Sequence, residues 1–373
     1  MQFFDTGKSL YGSNSENCRD GTMKKNKILV FNISTDSDNT SLGFAIDWLN
    51  ELSEYYDEVD VVTLNKGKSH LLKENINIYT HESVNLNKIK KFISLRKTIK
   101  SLLISNEYKF CLAHMTTALL LVSSTIFKFR KIQSILWYTH KGPTSIVKRI
   151  VLYLGAIISD LIITASKNSF PLKFKKVTPI GHAINFKTFF RSKDNHEVKD
   201  FLIISRISRS KNLDESIQGF LDSNYGDSQN ITIVGGPLTQ QDEIYENYLL
   251  NKYSIYSNIK FVGTVRHTEL NKFIDKSGFH INNTPEGFYD KSVLETLSSG
   301  VINFYSNSEY DKNTHPNYID NLKFDSTKND LSEKINAVYE LENSMLLEII
   351  KFSQDKVKQE SLETLHQRIL KVI

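Results

Sequence analysis

Short runs of β-branched and aromatic residues alternate with helical patterns along almost the whole of this sequence, and the alternation restarts once. The first series holds Ile28–Ile33, Val59–Leu64, Ile76–Tyr79, Phe110–His114, Ser134–Tyr138, Leu161–Ala165 and Val177–Ile180. Amphipathic stretches such as Leu42–Tyr55 and Leu86–Ile104 lie between them. After a polar segment, Arg191–Lys199, the second series runs Phe201–Ser205, Ile231–Val234, Ile259–Val262, Phe279–Ile281 and Val301–Tyr305. Strands separated by helices are joined by right-handed crossovers and lie parallel, so each series predicts a doubly wound α/β sheet. A length of 373 residues also exceeds what one core ordinarily organises. The reading is two Rossmann-like domains facing a cleft, residues 24–190 and 200–345. A polar, Gly/Ser/Asn-rich tail over 1–23 is expected before them, with Met23 a second candidate start. Leu331–Ile373 reads as helical, and its last part, 346–373, is expected to pack back toward the first domain.

Composition narrows the function classes. Hydrophobic residues make up 40% and charged residues 24%, a soluble and globular balance. The net charge of +5 is too mild for a nucleic-acid partner. Cys18 and Cys111 are the only cysteines, far apart and without metal spacing. They suggest a reducing, cytoplasmic compartment and no disulfide framework. The apolar runs Ala118–Phe127 and Ile150–Ile158 are too short or interrupted to span a bilayer, and no leader-type apolar region precedes them. Charge is unevenly spread. From Ser83 to Ser159 there is one acid, Glu107, against thirteen cations: Lys88, Lys90, Lys91, Arg96, Lys97, Lys100, Lys109, Lys128, Arg130, Lys131, Lys141, Lys148 and Arg149. With Phe92, Phe127, Phe129 and Trp137 among them, an anionic membrane surface is a natural partner; a solvated basic face is the equal alternative.

Several familiar motifs are missing. Asn32–Ile33–Ser34–Thr35–Asp36 stands where a dinucleotide-binding G-x-G-x-x-G would follow the first strand, and neither a Walker loop nor a G-x-S-x-G elbow occurs. In open parallel sheets the ligand sits beyond the carboxyl ends of the strands, so the polar residues there carry the information. In the second series they form a coherent set. Ser205–Arg206–Ile207–Ser208–Arg209–Ser210–Lys211 follows one strand, Gly235–Gly236–Pro237 the next, and Gly263–Thr264 a third. Thr284–Pro285–Glu286–Gly287–Phe288–Tyr289–Asp290–Lys291–Ser292 then leads into a helix carrying Glu295. Cations, glycines and a helix N-terminus are what a diphosphate needs: charge neutralisation, close backbone approach and free amides. Arg206 and Lys211 are expected at exposed strand ends. Glu295, one turn into its helix, is placed to accept from a ribose diol.

These residues resemble a family 4 glycosyltransferase of GT-B fold and retaining type, over nearly the whole chain from Lys27 to Ile373. The resemblance implies that Arg206 and Lys211, an Arg-x-x-x-x-Lys pair, bind the donor diphosphate. It implies that Gly263, in Phe261–Val262–Gly263, lies near the nucleotide. Glu295 matches the second Glu of a Glu-(seven residues)-Glu motif and would hold the ribose. His140, in Trp137–Tyr138–Thr139–His140, would contact the transferred sugar. Asp38–Phe44, His114–Met115 and Gly181–Asn185 resemble a branch concerned with surface polysaccharides, with His114 and Gly43 on the acceptor side; His114 also reads as a structural histidine. The donor is then a nucleotide diphosphate sugar, the acceptor a glycan or lipid-linked molecule, and neither cofactor nor metal is expected.

Two departures stand out. The family's first Glu falls on Gly287, with Glu286 one residue earlier. Either the loop is shifted by one, or Asp290–Lys291, followed by Ser292, replaces that contact. The usual Gly-Gly loop after the first strand is absent, and Leu42–Gly43 is the nearest substitute. Two other classes remain: a GT-B sugar-nucleotide epimerase, which the acid-free stretch from Tyr108 to Ser159 counts against, and a catalytically silent nucleotide-sugar-binding protein, which the displaced Glu286 motivates.

Overall fold

A computed structural model describes residues 26–39, 42–81, 87–139, 142–143, 145–192, 196–197, 199–326 and 330–373. The strands are β1 (Lys27–Thr35), β2 (Glu58–Lys66), β3 (Ile76–Tyr79), β4 (Phe110–His114), β5 (Gln133–Trp137), β6 (Leu161–Thr164), β7 (Val177–Pro179), β8 (Phe201–Ile204), β9 (Ile231–Val234), β10 (Ile259–Gly263), β11 (Phe279–Asn282) and β12 (Ile302–Tyr305). In the first half α1 (Ala45–Ser53), α2 (Lys88–Ser105), α3 (Thr117–Arg130), α4 (Ile146–Ile158) and the single turn α5 (Phe186–Phe189) connect them. In the second half come α6 (Leu213–Leu221), α7 (Gln240–Tyr253), α8 (Asn271–Ile274), α9 (Lys291–Ser298), α10 (Ile319–Leu322), α11 (Leu331–Tyr339), α12 (Asn343–Lys358) and α13 (Leu362–Leu370).

Two all-parallel sheets result, ordered β3-β2-β1-β4-β5-β6-β7 and β10-β9-β8-β11-β12. Central strands are buried on both faces, which is why their sequences read as continuous apolar runs rather than alternating ones. In the first sheet Val30 lies opposite both Val61 and Leu112. One face of that sheet packs on α1, through Trp48, Leu49 and Leu52; the other packs on α2, α3 and α4, through Leu95, Leu119, Phe127 and Leu152. The second sheet's core is aromatic, with Phe201, Phe220, Phe279 and Phe304 in mutual ring contact.

Leu331–Ile373, read from sequence as one helical stretch, divides in three. α12 buries Leu346, Ile349 and Val357 in the second core, whereas α13 buries Leu362, Leu365 and Ile369 in the first. The chain crosses between them beside the forward linker: Ile184 N–H donates to Glu360 O at 3.0 Å, and Leu362 N–H donates to Ile184 O at 2.8 Å. Glu360 ties the crossing together. Its carboxylate accepts from His182 N–H (2.8 Å), the Tyr289 hydroxyl (2.7 Å) and the Lys312 ammonium (2.7 Å). Strand order reverses between β1 and β4 and again between β8 and β11, so each sheet opens a crevice at the carboxyl ends of those pairs.

Candidate functional site

The second crevice is shaped by backbone constraints. Beyond β8, Ser205 N–H donates to Val234 O and Ile207 N–H to Gly236 O, both at 3.0 Å, which lays the Ser205–Ser208 loop over the end of β9. Gly235 makes this approach possible: its φ is +138°, and a Cβ there would stand 1.9 Å from Ser205 O. Gly263, at φ +81°, accepts from Gly235 N–H at 3.0 Å, and a Cβ on it would meet nothing within 4 Å. Its requirement is therefore conformational. Asn212 enters α6 in the left-handed region (φ 44°), and its side-chain amide donates to Asn283 O at 3.2 Å, fastening the β8 loop to the end of β11.

Charge converges where α9 begins. Asp290 occupies the N-cap position but its side chain makes no cap bond, which leaves the first-turn amides of α9 without that partner; its own N–H donates to the Tyr310 hydroxyl at 2.7 Å. Asp290 turns instead toward Lys211, whose Nζ lies 2.6 Å from Oδ2, and accepts from Asn282 Nδ2 at 3.2 Å. Burial would raise the Asp290 carboxyl; Lys211 and the Asn282 amide outweigh it and hold the group below its ordinary range. Burial pushes the neighbouring Lys291 ammonium down to about 8, with Glu295 and Asp47 pulling the other way. Lys291 Nζ stands 3.8 Å from the Phe44 ring centroid, bringing the first domain against the mouth of the site. One turn along α9, Glu295 Oε1 accepts from His267 Nε2 at 2.8 Å. Burial opposes ionisation of both groups, but their mutual attraction wins: His267 is raised and Glu295 lowered. Together these elements enclose an open cavity of about 410 Å³, lined by Arg206, Lys211, Gly236, Thr264, His267, Phe288, Asp290, Lys291 and Ser292 among others.

No family model and no curated protein matches this sequence. Solved structures do. HepE from Anabaena, in complex with UDP and glucose, aligns at a TM-score of 0.69 and 15% identity, over 92% of this chain and 98% of that one. A glycosyltransferase from Rickettsia africae aligns at 0.70 and 13%, over 93% and 97%. The lipopolysaccharide outer core galactosyltransferase WaaB aligns at 0.61 and 12%, over 93% and 100%. The chain has the GT-B fold.

Within that fold the residues singled out from sequence separate into groups. Arg206, Lys211, Asp290, Lys291 and Ser292 line one cavity. Arg206 and Lys211 differ in a way the sequence did not show: Arg206 is exposed, but Lys211 is buried against Asp290. The expectation of two exposed cations is corrected for Lys211, because a carboxylate from the β11–α9 loop closes over it. Glu295 sits behind the cavity and touches it through His267. Glu286 faces elsewhere, its Oε1 accepting from Ser308 N–H (2.7 Å) and the Ser308 hydroxyl (2.6 Å). Gly287 explains that geometry: its φ is +86°, in a turn closed by Phe288 N–H donating to Pro285 O at 3.2 Å.

In the first domain, His114 ends β4 inside an aromatic box of Phe44, Trp48 and Trp137, and is hydrogen-bonded through Nδ1 to Asn32 Oδ1 at 3.2 Å. Gly43 closes a tight turn; a Cβ there would lie 2.6 Å from Asn39 O. His140 and Lys141 lie outside the described residues. His267 was missed. It follows β10 within a few residues, so reading the strand end past Gly263–Thr264 would have found it. His182 is buried on the Tyr289 ring, and its Nε2–H donates to Tyr289 O at 2.5 Å. Burial, with Lys291 nearby, pushes it down to about 4, so it is a neutral weld between the linker and the loop that precedes α9.

Proposed function

We propose that this chain is a retaining glycosyltransferase of family 4 type, using a nucleoside diphosphate sugar as donor and a glycan or lipid-linked molecule as acceptor. The observation that carries the reading is the cavity between Arg206, Lys211 and the uncapped start of α9, which offers guanidinium, ammonium and amide donors to one diphosphate. The fold supports it, since HepE has been seen with UDP and with UDP-glucose. In the proposed complex Arg206 and Lys291 neutralise the phosphates, Lys211 is held by Asp290 to face them, and Glu295, kept ionised by His267, accepts from the ribose diol. The reaction breaks the bond between the sugar's anomeric carbon and the diphosphate oxygen and forms one from that carbon to the acceptor hydroxyl. The hydroxyl's proton passes to the departing diphosphate oxygen on the same face, so no protein nucleophile or metal is called for. The cations meet charge that grows as the bond breaks, and so act more strongly in the transition state than on the bound donor. The position of Phe44 against Lys291 supports an acceptor approaching from the first domain, and we place the reaction in surface-polysaccharide synthesis in the cytoplasm. The test is slow hydrolysis of UDP-glucose, and of the corresponding GDP and ADP sugars, followed by NMR. Release of the sugar with its anomeric configuration retained supports the reading. Inversion, or binding with no turnover of any donor, refutes it.

A further inference from the structure

On the first domain α2, α3 and α4 pack side by side over one face of the sheet. α4 touches the protein through a narrow seam, Leu152, Gly155 and Ala156. The seam is tight: a Cβ at Gly155 would lie 2.8 Å from the Thr117 Cβ. At about 100° per residue, the seam occupies one side of the helix and Ile146, Val147, Ile150, Tyr153, Leu154 and Ile157 share the opposite arc. All six are exposed, Ile146 by 74% and Val147 by 69%. The solvent arc of a helix lying on a sheet is ordinarily polar; here it is a contiguous aliphatic stripe. Cations flank it. On α4 Arg149 borders the stripe, whereas Lys148 is exposed in the first turn on the seam side; α3 ends in Lys128, Phe129, Arg130 and Lys131, with Phe129 exposed by 84% and the Arg130 guanidinium donating to Leu103 O and Ile104 O. Among the described residues no carboxylate pairs with any of these cations.

We propose that this face of α4 docks on an anionic lipid surface, the aliphatic stripe entering the boundary between headgroups and acyl chains while the flanking cations hold lipid phosphates. The helix lies along the membrane rather than across it. Its 13 residues measure about 20 Å, short of the ~30 Å hydrocarbon core. Among the described residues no helix is long and apolar enough to cross. The stripe begins at Ile146, shortly beyond the carboxyl end of β5, on the side of the first sheet that faces the cleft. Under the transferase reading, on which this last point alone rests, a lipid-linked acceptor in that surface would stand beside the cleft mouth.

The test is co-sedimentation with vesicles of phosphatidylcholine alone, or of equal parts phosphatidylcholine and phosphatidylglycerol, at low and high salt. The wild type pellets with the anionic vesicles. A variant carrying Ile146→Ser, Ile150→Ser, Leu154→Ser and Ile157→Ser loses more than about a hundredfold in partition, with its unfolding midpoint and its response to UDP unchanged. A variant carrying Lys128→Gln, Lys131→Gln, Lys148→Gln and Arg149→Gln binds more weakly and loses most of the salt dependence. Wild type left in the supernatant with anionic vesicles at low salt overturns the proposal, as does a serine variant that pellets like the wild type. So does a wild-type dimer that the serine variant converts to monomer, since the face would then belong to a second copy. Failure of nucleotide binding would leave these outcomes untouched, so the two readings fail separately.

Discussion

Replacing Lys211 with methionine keeps the apolar stem and removes the ammonium, leaving Asp290 without its ion partner. In the folded chain the pair is 2.6 Å apart, with side chains only 9% and 23% exposed. Removing one member of a buried pair ordinarily costs about 3–5 kcal/mol, because the remaining charge is left uncompensated. Asn282 still donates to the same oxygen at 3.2 Å, and Asp290 retains some contact with water. The loss therefore belongs at the low end, about 3 kcal/mol. At about 2–4 °C per kcal/mol for a unit of this size, the unfolding midpoint falls by about 6–12 °C. The penalty depends on pH with a defined sign. Lys211 helps hold the Asp290 carboxyl below its ordinary 3.8, so the pair's contribution is complete above that pH and fades as pH falls through the lowered value. Adding Asp290→Asn to Lys211→Met removes the orphaned charge and recovers much of the loss, a coupling that a double-mutant cycle measures. Arg206→Ala is the control: the side chain is exposed, and its loss shifts stability by no more than about 0.5 kcal/mol. Differential scanning calorimetry on the four proteins decides the matter. Equal stability of wild type and Lys211→Met, or equal losses in Lys211→Met and Arg206→Ala, would refute the assignment of Lys211 as a buried, Asp290-bound cation.

Other outcomes follow from the same site. His267 is raised above 6.5 and Glu295 lowered below 4.5, so their mutual stabilisation is complete between pH 4.5 and 6.5. It is lost as pH rises through the histidine's folded value and as pH falls through the glutamate's. The unfolding free-energy difference between wild type and Glu295→Gln is therefore largest in that window, and a difference independent of pH would contradict the pairing. Lys291, depressed to about 8, takes up a proton when a diphosphate arrives. Calorimetric titration of UDP near pH 8 in buffers of differing ionisation enthalpy should show proton uptake that Lys291→Met abolishes. Gly235→Ala forces a Cβ to within 1.9 Å of Ser205 O at a φ of +138°, and should cost roughly 3 kcal/mol or more together with nucleotide binding. Wild-type stability in that variant would show that the β8 loop can retreat.

The strands were legible because parallel strands buried on both faces leave a residue pattern that needs no partner to recognise: Ile28–Phe31 and Phe201–Ile204 are continuous apolar runs, followed by Asn32 and Ser205. The strand-end glycines were legible for a related reason, since a left-handed backbone selects glycine locally. What the chain concealed depends on contacts between distant segments. Asp290 lies 79 residues from Lys211, so nothing local to Arg206–Lys211 distinguishes the exposed cation from the buried one. Glu286 reads as a donor-site acid until Gly287 turns the loop and delivers its carboxylate to Ser308. Glu360, in a stretch that reads as uninterrupted helix, proves to be where the chain crosses between domains, because its partners come from three separate segments. α4 is concealed in another way: Ile150–Ile158 is recognisable in sequence as an apolar run too short to span a bilayer, and only packing shows which of the helix's aliphatic residues face outward.

The claim that organises the rest is that one nucleoside diphosphate binds at the carboxyl ends of β8–β11, against Arg206 and the start of α9. Titration calorimetry of the full chain with UDP, GDP and ADP, repeated on Arg206→Ala, measures it directly. The account predicts saturable, one-to-one binding of at least one of the three, and a loss of at least about tenfold in affinity in the variant, a charge-assisted contact being worth about 1.5–3 kcal/mol. At a hundred times its dissociation constant that nucleotide also adds about 2.7 kcal/mol of stability to the wild type. No binding of any of the three, or binding that Arg206→Ala leaves unchanged, would contradict it.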